Sequence, residues 1–172
     1  MIKILMMILF WGVISLQAQE QFKSGVFSFS KEVTLPGTPN VIFDAITGDI
    51  SGWWDHSISE TPLKMYIEPK PGGSFMEIFD EAGNGIQHAV VNYVNRPKII
   101  RFTGPLGLTG HAISLVNTYS LEPAGADSTK LRLDVHASGE IAEGWPGIVE
   151  KVWEHFIYEQ FAAYIRAGKQ LK

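Results

Sequence analysis

From Gly144 the chain reads GWPGIVEKVWEHFIYEQFAAYIRAG, and one side of that stretch is apolar throughout. Trp145, Val149, Val152, Trp153, Phe156, Phe161, Tyr164 and Ile165 recur at helical spacing and share a face. Pro146 fits a first helical turn, where it removes no hydrogen bond, and Gly168 stands where a C-terminal cap belongs. About two dozen helical residues span roughly 35 Å. A helix face so long and so rich in aromatic residues must lie on an apolar surface of comparable length.

The preceding segments supply one. VFSFSKEVTL alternates, with Phe27, Phe29, Val33 and Leu35 on one face, as a half-buried strand requires. Lys31 falls on that same face, so the strand frays there or the lysine reaches a rim. From residue 64 onward KMYIEP, GSFMEIFD, IQHAVVNYV, KIIRFTG, HAISLVNTYSLEP and TKLRLDVHASG follow one another, separated by hairpin-sized turns. Ile113, Leu115, Tyr119 and Leu121 share one face of their strand, and Leu131, Leu133, Val135 and Ala137 one face of the next. The opposite faces are polar, which describes an antiparallel sheet covered on one side.

Between the first strand and the meander lie two short helical patterns. Thr38 and Pro39 suit a helix start, Val41, Ile42, Ala45 and Ile46 give its apolar face, and Gly48 ends it. Asp49 or Ser51 could begin a second turn carrying Trp53 and Trp54. The order predicts an α+β fold: a curved antiparallel sheet of six to seven strands around a long C-terminal helix, with two short helices after strand 1. A straight helix cannot fill a curved sheet completely, so a concave apolar space is expected between them, and ligands favour such spaces.

The N-terminus, MIKILMMILFWGVISLQAQ, has a positive charge, a short apolar run and small residues up to Ala18. It reads as a signal peptide over residues 1–18, too short in its apolar run for a comfortable membrane span. A single domain over 19–172 and a secreted or periplasmic location are then expected, with no stable membrane insertion after processing. The formal charge of −4 is spread without basic stripes, which argues against a nucleic-acid partner. The absence of cysteine excludes a disulfide framework and thiol chemistry.

The motif GDISGWWDHS raises the first question of chemistry. Trp53 and Trp54 read first as bulk closing one end of the hollow and second as a ring stacked on a ligand. Asp55 and His56 just beyond read as capping or solvated groups. His155 and Glu159, four apart beside the apolar stripe, read as an exposed helical pair, and the five histidines make no evident metal set. His88 shares its parity with Val90 and Val94, which leaves its direction open.

His111 matches the parity of Leu115, Asn117 and Tyr119, so one wall could carry an imidazole, an amide and a phenol. The alternative, that His111 sits in the loop before the strand, stays open. The pocket candidates are therefore Trp53, Trp54, His111, Leu115, Asn117, Tyr119, Trp153 and Phe156. No G-x-S-x-G serine, P-loop or dinucleotide fingerprint is present. No catalytic set, metal or cofactor is expected.

TPNVIFDAITGDISGWWDHS resembles the entry of the START-like superfamily (SRPBCC, or Bet v 1-like), and in particular the branch similar to activators of Hsp90 ATPase. PGGSF, DEAGNG, VNRPKIIRFTG, TYSLEPAGADSTKLRL and EGW agree with it in order across residues 26–168. The resemblance implies a helix-grip fold and a cavity for lipids, sterols or polyketide-like molecules. It brings no reaction with it. The leading reading is an exported protein that binds a small apolar molecule. A cavity enzyme of the polyketide cyclase/dehydratase type, with His111 and Tyr119 moving protons, is the alternative, and a protein-interaction module is another.

Overall fold

The computed structural model of the protein describes residues 23–171; the leader read from residues 1–18 lies outside them. The elements run β1 (Lys23–Pro36), α1 (Pro39–Ile46), β2 (Gly48–Asp49), β3 (Lys64–Ile67), β4 (Ser74–Ile78), β5 (Gly85–Asn95), β6 (Ile99–Gly104), β7 (Ile113–Gly125) and β8 (Ser128–Ile141). The C-terminal helix follows as α2 (Trp145–Glu154), a π-helical stretch (His155–Phe161) and α3 (Ala162–Arg166). The eight strands form one sheet in the order β1-β8-β7-β6-β5-β4-β3-β2, every pair antiparallel. The fold is the expected α+β helix-grip arrangement, with one strand more than predicted. The addition is β2, a two-residue edge strand paired to β3 at Gly48 and Asp49.

The second short helix after strand 1 is also smaller than expected. Trp53 and Trp54 both donate backbone N–H groups to the Ile50 carbonyl, at 3.1 and 2.9 Å, so one hydrogen-bonded turn replaces a helix.

Alternation decides which face is dry. Leu115, Tyr119 and Leu121 on β7 and Leu131, Leu133 and Val135 on β8 are buried, and the long helix covers them with Trp153, Phe156, Ile157, Phe161 and Ile165. Each such large apolar side chain contributes about 1.5–3 kcal/mol on burial. Lys31, on the dry side of β1, does reach the rim. Its Nζ donates to Glu150 and Glu154 of the helix, each at 2.6 Å, and these bonds raise its pKa above the ordinary lysine value.

Two irregularities in β5 explain why its parity could not be read. The register passes from Met76↔Gln87 to Phe75↔Ala89, leaving His88 as an extra residue, and from Val91↔Phe102 to Tyr93↔Arg101, leaving Asn92 extra. The first bulge turns His88, Ala89 and Val91 inward and Val90 outward. The second restores the original phase, so that Val94 packs on the core. Bulges re-aim side chains in this way because the side-chain period of a strand is two.

Candidate functional site

A cavity of about 320 Å³ lies between the sheet and the C-terminal helix. Trp54, Leu115, Val149, Val152, Trp153 and Phe156 make most of its wall, and Pro105, Leu106 and Leu108 close one side. Ile58 and Ile148, which also line it, are 53% and 58% exposed and mark its mouth.

The paired tryptophans divide their work. Trp53 is buried in the core, where its Nε1–H donates to the Ala45 carbonyl at 3.0 Å and its ring lies 4.8 Å from that of Phe161. Trp54 lines the cavity and stacks on Phe156, with ring centroids 3.8 Å apart and planes inclined by 19°. Phe156 and Phe161 are five residues apart. In the π-helical register, residues at that interval are brought together by i→i+5 hydrogen bonds, so one turn of wide helix receives both indoles. No composition or spacing rule in the sequence signals this π stretch.

The other candidates separate. Leu115, Trp153 and Phe156 line the cavity along with Trp54. Asn117 and Tyr119 are fully buried on the dry face of β7, outside the lining set. The Asn117 Oδ1 and the Tyr119 hydroxyl have no hydrogen-bond partner among the described residues. Burial pushes the Tyr119 phenol well above its ordinary pKa, so it stays neutral. His111 precedes β7 and lies outside the lining set, with its ring 4.9 Å from that of Trp145.

The polar group that sequence reasoning missed is His88. It lines the cavity at 5% exposure, and its Nε2 donates to Glu77 Oε2 at 2.9 Å. Glu77, on β4, has no exposed surface. Its carboxylate also accepts the backbone N–H groups of Ile58 (2.9 and 3.0 Å) and Ser59 (2.8 Å). One buried side chain therefore ties the mouth segment to the sheet and sets the imidazole orientation, leaving Nδ1 as the ring nitrogen that Glu77 does not engage. The parity break at the bulge hid this pair from the sequence.

The bulge depends on Gly104 of β6. A Cβ there would stand 2.3 Å from the His88 carbonyl oxygen and 2.6 Å from the Ala89 Cα, both backbone atoms that cannot move aside cheaply. Gly104→Ala is expected to lower stability by about 1–3 kcal/mol, the usual cost of forcing extra volume into a packed site. Chemical denaturation measures the loss, and an unchanged midpoint would mean that β6 does not press on the bulge.

A second polar group stands at the mouth. Asp55 accepts from His56 Nδ1 (2.9 Å) through Oδ1 and from His155 Nε2 (2.7 Å) through Oδ2. His155 Nδ1 in turn donates to Glu159 at 2.8 Å. Desolvation alone would raise the Asp55 carboxyl; the bonds from His155 and His56 outweigh it and hold Asp55 below its ordinary pKa. The bonds to Asp55 and then to Glu159 raise the pKa of His155.

Comparison with known proteins agrees with this architecture. The structure of a putative uncharacterized protein from Rhizobium leguminosarum superposes with a TM-score of 0.64 at 14% identity, covering 84% of this chain and 97% of that one. Protein MLL2253 from Mesorhizobium loti gives 0.60 at 19% identity, with 82% and 98% covered. A point mutant of norcoclaurine synthase from Thalictrum, solved with a transition-state analogue, gives 0.51 at 13% identity, with 87% and 99% covered. At these identities the likeness is one of fold. Comparison with curated protein sequences finds no significant match. The family model described as activator of Hsp90 ATPase homolog 1-like protein matches residues 36–166. With so much of its length matched and the helix-grip fold in place, the chain belongs to the activator of Hsp90 ATPase homolog 1-like family of the SRPBCC superfamily.

Proposed function

We propose that this is an exported protein that binds a small, largely apolar molecule in the cavity between its sheet and its C-terminal helix. The carrying observation is the wall itself: stacked Trp54 and Phe156, Trp153 and aliphatic side chains, with the carboxylate-held His88 as the buried polar point. Hydrocarbon fills such a hollow and one hydrogen bond fixes its direction. A volume of about 320 Å³ suits a compact molecule better than a long-chain lipid. Export rests on the pattern of residues 1–18. Intact-mass measurement of protein taken from the cell envelope tests it, and a mass that retains those residues would sink it.

Binding is tested by extracting small molecules from the purified protein and by titrating it with an environment-sensitive apolar dye. Ile148→Glu places a charge at the mouth on a residue that is 58% exposed, so folding should be unaffected. Binding should weaken at least tenfold, about 1.4 kcal/mol, because the charge must be desolvated or displaced when the mouth is covered. Failure both to recover a molecule and to observe saturable dye binding would end the proposal.

One observation favours a second reading, a cavity enzyme acting by acid/base chemistry. An imidazole positioned by a buried carboxylate is the arrangement a general base requires, and here it faces an apolar hollow. His88 would take the proton-transfer role in place of His111 and Tyr119. Turnover of the recovered molecule by the protein, abolished in His88→Gln, would select this reading over simple binding.

A further inference from the structure

We propose that Asp55, His56 and His155 form a divalent-metal site of the two-histidine, one-carboxylate kind at the cavity mouth, suited to Zn²⁺. The three residues each offer a ligand atom, and those atoms lie within 4.8 Å of one another. Bonds of about 2.0–2.2 Å to a tetrahedral zinc would set its ligand atoms roughly 3.3 Å apart. Closing the difference takes small side-chain rotations, and the His56 side chain, 53% exposed, is free to make them. Imidazole nitrogen and carboxylate oxygen are ligands that zinc accepts together.

Three further features fit an ion better than a surface ion pair. Glu159 takes the Nδ1–H of His155, and metal-ligating histidines almost always give their other N–H to a carboxylate or carbonyl. With an ion in place of the Nε2 proton, that bond keeps the remaining proton on Nδ1 and Nε2 directed toward Asp55. Gln160 stands with its amide 3.2 Å from the same Nε2, and rotating that amide by half a turn would present its oxygen to an ion there. His155 also opens the π-helical stretch, a local irregularity often found at functional sites.

The site would have a structural consequence and a chemical one. Asp55 and His56 belong to the segment after the tryptophan turn and His155 to the C-terminal helix, so an ion would clamp the two where Trp54 already stacks on Phe156. His56 also lines the cavity. Three protein ligands leave a tetrahedral ion with a fourth position, for the Gln160 oxygen, for water or for an oxygen of a molecule in the hollow. This inference stands independently of what the cavity binds.

The test uses untagged full-length protein stripped with chelator and titrated with ZnCl₂ by calorimetry, with Co²⁺ absorption as a spectroscopic check. One equivalent should bind and raise the unfolding temperature. His56→Ala and His155→Ala should each weaken that event by on the order of 100-fold, and Glu159→Gln by on the order of 10–100-fold. All three positions are at least partly exposed, so circular dichroism should show the variants folded. No saturable binding up to millimolar zinc would overturn the proposal and leave a protonated His155 shared between two carboxylates. Binding of one equivalent that survives both histidine substitutions would overturn it too, since the ion would then sit elsewhere.

Discussion

Glu77→Ala is expected to destabilise the protein by about 3–5 kcal/mol, because it removes the hydrogen bonds that one buried carboxylate accepts, each worth about 1.5–3 kcal/mol before water recovers part at the mouth. The side chain has no exposed surface, and three donors lose their acceptor together: the backbone N–H groups of Ile58 and Ser59 and the His88 ring. The His88 ring is buried, so its lost bond carries a desolvation penalty as well, whereas the mouth amides can regain part of theirs from water. Urea unfolding measures the effect. Hydrogen exchange should show the Ile58 and Ser59 amides exposed before the strands open. A Glu77→Leu/His88→Leu double variant should recover part of the loss, because replacing both partners removes the unpaired donor of the ring. If Glu77→Ala costs less than about 1 kcal/mol, the carboxylate does not hold the mouth in the way the geometry indicates.

Phe156→Ala is the second large effect, with an expected cost of about 3–5 kcal/mol. The ring is 3% exposed and meets Trp54 face to face at 3.8 Å and Trp153 edge to face at 5.8 Å. Aromatic pairs of this kind add about 0.5–1.5 kcal/mol beyond burial. The void left behind would join the existing cavity, so neighbouring side chains have little to collapse onto. Calorimetric or denaturant unfolding gives the cost, and dye titration should show an altered pocket in the protein that remains folded. Phe161→Ala serves as the comparison, since Phe161 is fully buried against Trp53 and does not line the cavity. An unchanged midpoint for Phe156→Ala would place that ring on the solvent side of the helix.

Much of the wall was legible from periodicity. Trp153 and Phe156 stood on the widest apolar stripe of the helix, Leu115 on the dry parity of its strand, and all three line the cavity. Parity also brought Asn117 and Tyr119 inside, yet it could not say that they lie outside the lining set, because inward direction does not give depth along a curved sheet. For His111 the same count failed earlier: strand pairing begins at Ile113, so the alternation does not extend back to it. His88 was undecidable for a related reason. A bulge adds one residue, and one residue reverses every later side chain.

What the residues determined by themselves is the kind of fold. Alternating strands with one dry face and a long aromatic helix have few ways to bury their apolar surface, and these are short-range patterns set by the periods of strand and helix. What only the tertiary structure decided is the chemistry. Glu77 and His88 meet because a bulge opposite Gly104 turns one strand inward, and Asp55 and His56 meet His155 across the fold. The π-helical register likewise arises where Phe156 and Phe161 take up the two indoles. Each of these depends on backbone register between distant segments, and register is a property of the packed whole that no local period encodes.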